Sequence, residues 1–327
     1  MKGINIKGIG AYSPEMIVTN DKLSEIVDTS DEWITSRTGI KERRISQGED
    51  TSEVAIKAVN MALDRAQVKP EDVDLIIVAT VTPDNFTPSV SCIVQKEVQA
   101  KNAVAFDINA ACSGFIFALD IGISMMNSNK NIKNAVIVGS EVLSKIIDWN
   151  DRSTCVLFGD GSGAVVLSRD DNNEEKLYSS VLKSEGEKGE CLEIGANDVE
   201  NPFVLGDNNK KNKKLAMMGS AVFKFASVAI VDSIHHLLEE NNLTLDDVEY
   251  IVPHQANYRI IDFAAKKLKI STDKFYLNLD RYGNTSSASI PLALNEMYEN
   301  GLLKRGMKII MVGFGGGLTC GAVLIEL

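Results

Sequence analysis

The sequence predicts an α/β protein of two related halves, each a largely parallel sheet flanked by helices. Three observations lead there. Short apolar runs such as Leu75-Ile76-Ile77-Val78 alternate with longer stretches of helical periodicity, the rhythm of strands buried on both faces and helices that cover them. The chain repeats itself at an offset near 175 residues. Its 327 residues, with 44% hydrophobic and 24% charged side chains, suffice for one large domain or two ordinary ones.

The repeat orders the elements. Residues 68–78 align with 243–253, so that Asp72 falls on Asp247. Ile137-Val138-Gly139 aligns with Met311-Val312-Gly313, an apolar run ending in glycine and read as a buried strand entering a turn. Residues 163–167 align with 321–325 at the smaller offset of 158, so the second half has the shorter connection there. Helices are expected over 52–67, with Val54, Ala55, Ala58, Val59, Ala62 and Leu63 on one face, and over 220–241, with Phe223, Ala226, Ile230, Ile234 and Leu237. A third helix-compatible run covers 115–126. The two units, 1–170 and 171–327, are expected to pack about a pseudo-twofold axis. Polar residues 169–176 read as their connection. Residues 183–214 have little periodicity and read as a long surface excursion, with the basic stretch 208–214 a solvated loop tip.

Composition excludes several classes. A net charge of −11 argues against non-specific nucleic-acid binding. No run of about 18 consecutive apolar residues marks a membrane span, and the first residues lack the pattern of a secretory signal. Five cysteines, odd in number and never in CxxC spacing, suggest neither a metal site nor a disulfide framework. A reducing, cytoplasmic home is expected.

Four segments carry chemistry. In Ala110-Ala111-Cys112-Ser113-Gly114-Phe115, Cys112 falls where a helix starts, and the partial positive charge there favours a thiolate nucleophile. Free cysteine is also commonly an apolar filler, and position alone leaves that open. His254 follows an apolar strand, where active sites of parallel α/β folds gather; a core histidine is the alternative. His235 and His236 sit mid-helix and read as a surface or packing pair. Ser287 stands 175 residues after Cys112, and Asn284 lies three residues before it, in a segment that is otherwise a plain turn. Gly313-Phe314-Gly315-Gly316-Gly317 reads as a turn with bare N–H groups and is a candidate oxyanion donor. Neither it nor Gly159–Gly163 has a phosphate-loop context.

Together these segments resemble a known family. The motifs are Asp31-Glu32-Trp33-Ile34 with Arg37-Thr38-Gly39-Ile40, Ala111-Cys112-Ser113-Gly114-Phe115, and Phe158-Gly159-Asp160-Gly161. Pro253-His254-Gln255-Ala256-Asn257, Gly283-Asn284-Thr285-Ser286 and Gly315-Gly316-Gly317 complete the set. In this order they are similar to 3-oxoacyl-[acyl-carrier-protein] synthase III, the initiating condensing enzymes of bacterial type II fatty-acid synthesis, over essentially the whole chain. Related plant-type polyketide synthases share the Cys–His–Asn set but lack the tryptophan–arginine stretch.

The resemblance implies a thiolase-like αβαβα layered fold, a homodimer, and decarboxylative condensation of acyl-CoA with malonyl-carrier-protein. Acyl-CoA is then a substrate, and no cofactor or metal is implied. Cys112, His254 and Asn284 match the catalytic triad, and the N–H groups of Cys112 and Gly316 the oxyanion hole. Trp33, Arg37, Arg152 and Asn257 match coenzyme A contacts, with adenine between Trp33 and Arg152. Lys224, Arg259, Lys266 and Lys267 match a basic face for the acidic carrier protein. Two positions depart from relatives. Thr87, in Asn85-Phe86-Thr87-Pro88, stands at the acyl-pocket gate where many have phenylalanine, and Ser287 replaces a frequent alanine. The alternatives are a relative recruited to a specialised pathway with an unusual starter or acceptor, and a non-catalytic carrier-binding protein that kept the fold.

Overall fold

In the computed structural model, residues 3–170, 176–204 and 210–327 are described. The expected connection at 169–176 falls mostly outside them, as do residues 208 and 209 of the basic stretch.

Two sheets with the same strand order form the molecule. The first runs Ile4–Tyr12, Gly161–Arg169, Asn134–Glu141, Leu75–Ala79, Val104–Ile108. The second runs Tyr178–Ser184, Thr319–Glu326, Lys308–Gly315, Tyr250–Pro253, with a parallel bridge from Ile251 to Phe275 in the fifth place. All three aligned repeats therefore fall on equivalent strands. The register agrees: Ile76 pairs with Val136 as Ile251 pairs with Ile310.

One expectation needs correction. The sheets are mixed, not largely parallel. Gly161–Arg169 is antiparallel to both its neighbours, and so is Thr319–Glu326. In the second half the reason is the connection. Only residues 316–318 separate Lys308–Gly315 from Thr319–Glu326, and so short a link cannot carry a parallel crossover. The glycine run is accordingly strand as far as Gly315, and Gly161–Gly163 also lies in a strand.

Helices fill three layers. Thr51–Ala66 and Val90–Glu97 cover the outer face of the first sheet. Thr51–Ala66 starts at Asp50, whose side chain and that of Glu53 close a capping box. Gly219–Glu240 and Tyr258–Leu268 cover the outer face of the second sheet. Between the sheets lie Gly114–Ser128 and Ser289–Glu299, in a core that joins Phe115, Ile116 and Leu119 to Val252, Met311 and Val323. Gly114–Ser128 is apolar on most of its circumference because sheets lie on both sides. Two stretches, Ala111–Ser128 and Gly219–Glu240, are long and apolar enough to cross a membrane by composition; about half of each, 56% and 50%, is buried within these layers, as in core helices.

The excursion after Tyr178–Ser184 is not only surface. It turns through Gly186–Cys191 into Leu192–Glu193, which pairs with Ala216–Met217, and residues 192–196 line a large cavity. Lys211 N–H donates to Asp198 Oδ1 at 2.8 Å, tying part of the basic stretch to this loop.

Candidate active site

The cavity has a volume of about 1170 Å³, and Cys112, Ser286, Gly316 and Leu192 are among its walls. Cys112 sits in the 3₁₀ turn Ala111–Ser113, directly ahead of the helix Gly114–Ser128. Ala111 enters the turn at φ 45°, a left-handed conformation that costs a residue with a side chain about 1–3 kcal/mol. The second half repeats the device. Ser286–Ala288 is a 3₁₀ turn ahead of Ser289–Glu299, and Ser286 has φ 50°. The sequence offset of Ser287 from Cys112 thus marks a shared strained elbow.

Glycine makes room for the nucleophile. A Cβ on Gly315 would lie 2.7 Å from Cys112 Cβ and 3.0 Å from its sulfur. Gly315→Ala is expected to cost about 1–3 kcal/mol of stability. An unchanged urea midpoint would show that the elbow has slack.

Ser286 is the node of the site. Its hydroxyl lies beside the Cys112 thiol and donates to Glu141 Oε1 at 3.2 Å. Its backbone N–H donates to Asn284 Oδ1 at 2.9 Å, which leaves the Asn284 NH₂ as the free donor end. Its carbonyl lies 2.8 Å from Ser289 Oγ, which is 2.7 Å from His254 Nδ1. His254 follows strand Tyr250–Pro253, its N–H bonded to Val312, and its ring meets the edge of Phe314 at 5.0 Å. Cys112 and Ser286 line the cavity; His254 and Asn284 are buried, are not among its lining residues, and are linked to it through this node.

The electrostatics correct one expectation. The N–H groups of Cys112 and Gly316 both point at the Cys112 sulfur and favour the thiolate. Burial outweighs them, and the negative charge of Glu141 adds to it, so the thiol is pushed up to about 12. With Cys112 only 7% exposed, the nucleophile rests as a thiol. Burial also pushes His254 down to about 3, so its imidazole is neutral.

Sequence reasoning missed Glu141. It ends strand Asn134–Glu141 fully buried, and accepts from Thr82 Oγ1 at 2.6 Å, Ser287 Oγ at 2.9 Å, Thr80 Oγ1 at 3.1 Å and Val81 N–H at 3.1 Å. Burial raises its carboxyl above the usual range. A charged residue closing an apolar strand at Gly139-Ser140-Glu141 was the available signal. The Ser287 substitution noted in the sequence supplies one of its donors.

The remaining expected residues group in two places. Arg37 and Arg152 lie over the Trp33 ring at 4.8 and 4.9 Å. A flat ring inserted beside Trp33 needs about 7 Å between the outer groups, two contacts of about 3.5 Å, so a guanidinium must swing aside. Asn257 caps helix Tyr258–Leu268, accepting from Arg259 N–H at 2.9 Å. Arg259 Nη2 donates to Ser36 O at 2.9 Å, which ties this helix to Asp31–Thr38. Phe223 meets Phe263 edge-on at 6.4 Å between two packed helices, the one carrying Lys224 and the other Lys266 and Lys267, and Lys267 lies over the Phe263 ring at 5.5 Å. Lys266 pairs with Asp262 at 2.6 Å. Thr87 is exposed and does not line the cavity of its own chain, whereas its neighbours Asn85 and Phe86 do. His235 and His236 are exposed, as expected. Among the described residues no cluster of His, Cys, Asp and Glu fits a metal ion.

Comparison with known proteins agrees in extent. A family model described as 3-Oxoacyl-[acyl-carrier-protein (ACP)] synthase III matches residues 106–186, and its C-terminal counterpart matches 238–327. The chain is 54% identical to the beta-ketoacyl-[acyl-carrier-protein] synthase III of Clostridium beijerinckii, covering 100% of both. It superposes on the 3-oxoacyl-[acyl-carrier-protein] synthase III of Aquifex aeolicus with TM-score 0.91 and 45% identity, covering 99% of this chain and 100% of that one. The priming beta-ketosynthase of the R1128 polyketide pathway is also similar, with TM-score 0.90 and 34% identity, covering 99% of this chain and 96% of that one.

Proposed function

Because the chain belongs to the 3-oxoacyl-[acyl-carrier-protein] synthase III family, we propose that Cys112, His254 and Asn284 divide the family's reaction between them. The enzyme is a condensing acyltransferase. It catalyses the initiating step of fatty-acid synthesis, in which acyl-CoA and malonyl-carrier-protein give 3-oxoacyl-carrier-protein, coenzyme A and carbon dioxide.

Cys112 takes the acyl group. Its thiol loses a proton, its sulfur attacks the thioester carbon, and coenzyme A leaves with a proton. The N–H groups of Cys112 and Gly316 hold the oxyanion. Malonyl decarboxylation then places negative charge on the second thioester oxygen. The Asn284 amide and a neutral His254 N–H stabilise that enolate, which attacks the acyl-cysteine carbon and releases the Cys112 sulfur. Decarboxylation drives carbon–carbon bond formation without a strong base. The observation that supports this reading is the Ser286 node, which engages the Asn284 oxygen, leaves its NH₂ without a partner among the described residues, and lies beside the Cys112 sulfur. It is tested by incubation with acyl-CoA. A mass gain of one acyl group on the Cys112 peptide is expected; no gain with any acyl-CoA would favour a non-catalytic carrier-binding protein.

Trp33, Arg37, Arg152 and Asn257 hold coenzyme A, and Lys224, Arg259, Lys266 and Lys267 the carrier protein. Lys266 tests the second set best, because Arg259 also braces two helices. Its side chain is 75% exposed. Lys266→Glu is expected to raise KM for malonyl-carrier-protein about tenfold at low salt, an effect that high salt removes, and to spare acylation. Equal loss with both substrates would show that the patch serves coenzyme A.

The active form is a homodimer. Strand Val104–Ile108 is an unpaired sheet edge with Val104 61% exposed, and nearby Phe86 is 80% exposed beside an open cavity wall. Across such an interface Thr87 gates the partner's acyl pocket and sets primer length. Thr87→Phe is expected to shift the acyl-CoA preference toward shorter chains; an unchanged order sinks the gate. The units 1–170 and 171–327 are read as carrying the nucleophile and the His–Asn pair. All five cysteines are free thiols, which supports a reducing cytoplasmic home.

A further inference from the structure

We infer that the Ser289 hydroxyl is a positioning group that holds His254 as the neutral Nε2–H tautomer, the form able to donate to the malonyl thioester oxygen. This rests on the role of His254 proposed above. Ser289 opens helix Ser289–Glu299 and is buried, as is His254. Its oxygen lies 2.7 Å from His254 Nδ1 and 2.8 Å from the Ser286 carbonyl. A hydroxyl has one proton and can serve only one of these acceptors. The Ser286 carbonyl already accepts the backbone N–H of Ser289, which closes the turn. The hydroxyl, which can also donate to that carbonyl, can therefore turn to Nδ1 without leaving the carbonyl unpaired, and among the described residues it is the ring's only hydrogen-bond partner.

The chemistry selects between the two arrangements. If Nδ1 carried the proton, Nε2 would present a lone pair, which repels an enolate oxygen. Protonating the whole ring would supply the N–H, but a fully buried imidazole resists the charge, and its pKa lies near 3. A neutral ring that donates from Nε2 needs a donor at Nδ1, and Ser289 is the one in place. Phe314, edge-on to the ring at 5.0 Å, keeps water from that face.

The test has two parts. Nitrogen-15 NMR of histidine-labelled enzyme near neutral pH separates the tautomers, and the signals of the exposed His235 and His236 are assigned with His235→Gln and His236→Gln variants. The buried histidine is expected as Nε2–H; an Nδ1–H pattern overturns the inference even if no variant folds. Ser289→Ala is expected to slow carbon dioxide release from malonyl-carrier-protein about tenfold, the worth of one hydrogen bond, and to leave acylation of Cys112 nearly unchanged. Ser289→Thr, which keeps the hydroxyl, should restore the rate. Equal loss in both half-reactions means a structural role and overturns the inference. His254→Ala separates the two levels. If it is inactive in decarboxylation while Ser289→Ala is not slowed, only the inference fails. If His254→Ala decarboxylates normally, the role of His254 beneath it fails.

Discussion

Cys112→Ala is expected to take up no acyl group from acyl-CoA yet still to release carbon dioxide from malonyl-carrier-protein. Asn284→Ala is expected to do the reverse, becoming acylated on Cys112 while decarboxylating about 10²–10³ times more slowly, the usual effect of losing one donor to a developing oxyanion. The split follows from the geometry. Only Cys112 offers a nucleophilic sulfur to the cavity, and the Asn284 amide is aimed by Ser286 N–H rather than by the cysteine. His254→Ala should also decarboxylate poorly. It should keep most of its acylation, because a ring with its pKa near 3 is a weak base for the thiol. Acyl-cysteine mass and labelled carbon dioxide are measured separately for the three variants. Acyl uptake by Cys112→Ala, or a wild-type decarboxylation rate in Asn284→Ala, refutes the assignment.

Acid is expected to destabilise the enzyme more steeply when His254 is present. Its pKa falls from 6.5 to about 3 on folding through burial. Between those values the unfolded chain binds a proton that the native protein does not. The contribution of the neutral ring is thus complete above pH 6.5 and is lost as pH falls toward 3. The loss approaches about tenfold in the folded-to-unfolded ratio per pH unit. Other buried groups titrate too. Glu141 and Asp160 are raised by burial, while Asp50, with its partner Lys145, is lowered. The difference between wild type and His254→Asn removes their common part. Urea unfolding of both proteins at neutral and mildly acidic pH should show the wild type losing about 2 kcal/mol more over two pH units. Parallel pH dependence would mean that water reaches the ring and the burial is incomplete.

Much of the architecture was legible in the chain. Buried strands must be apolar on both faces, so Leu75–Ala79 and Tyr250–Pro253 stood out, and the 175-residue offset paired them. The same offset led from Cys112 to Ser287 and so to the second elbow. Helix bounds were close, Thr51–Ala66 for 52–67 and Gly219–Glu240 for 220–241, because period and capping are local properties. The candidate catalytic residues, Cys112, His254 and Asn284, stood in motifs that could be read from the chain.

Tertiary structure decided the rest, because it depends on distances across the fold. Strand direction was fixed by which strands lie side by side and by a three-residue link, which periodicity does not encode. The protonation states were fixed by burial. Position at a helix start favoured a thiolate at Cys112, but desolvation in the assembled site opposes it. Glu141 and Ser289 gained meaning only when strand Asn134–Glu141 and helix Ser289–Glu299 met beneath the Cys112 elbow. A sequence names the groups that can react; the low-dielectric space between two packed sheets determines which of them are charged and where their protons sit.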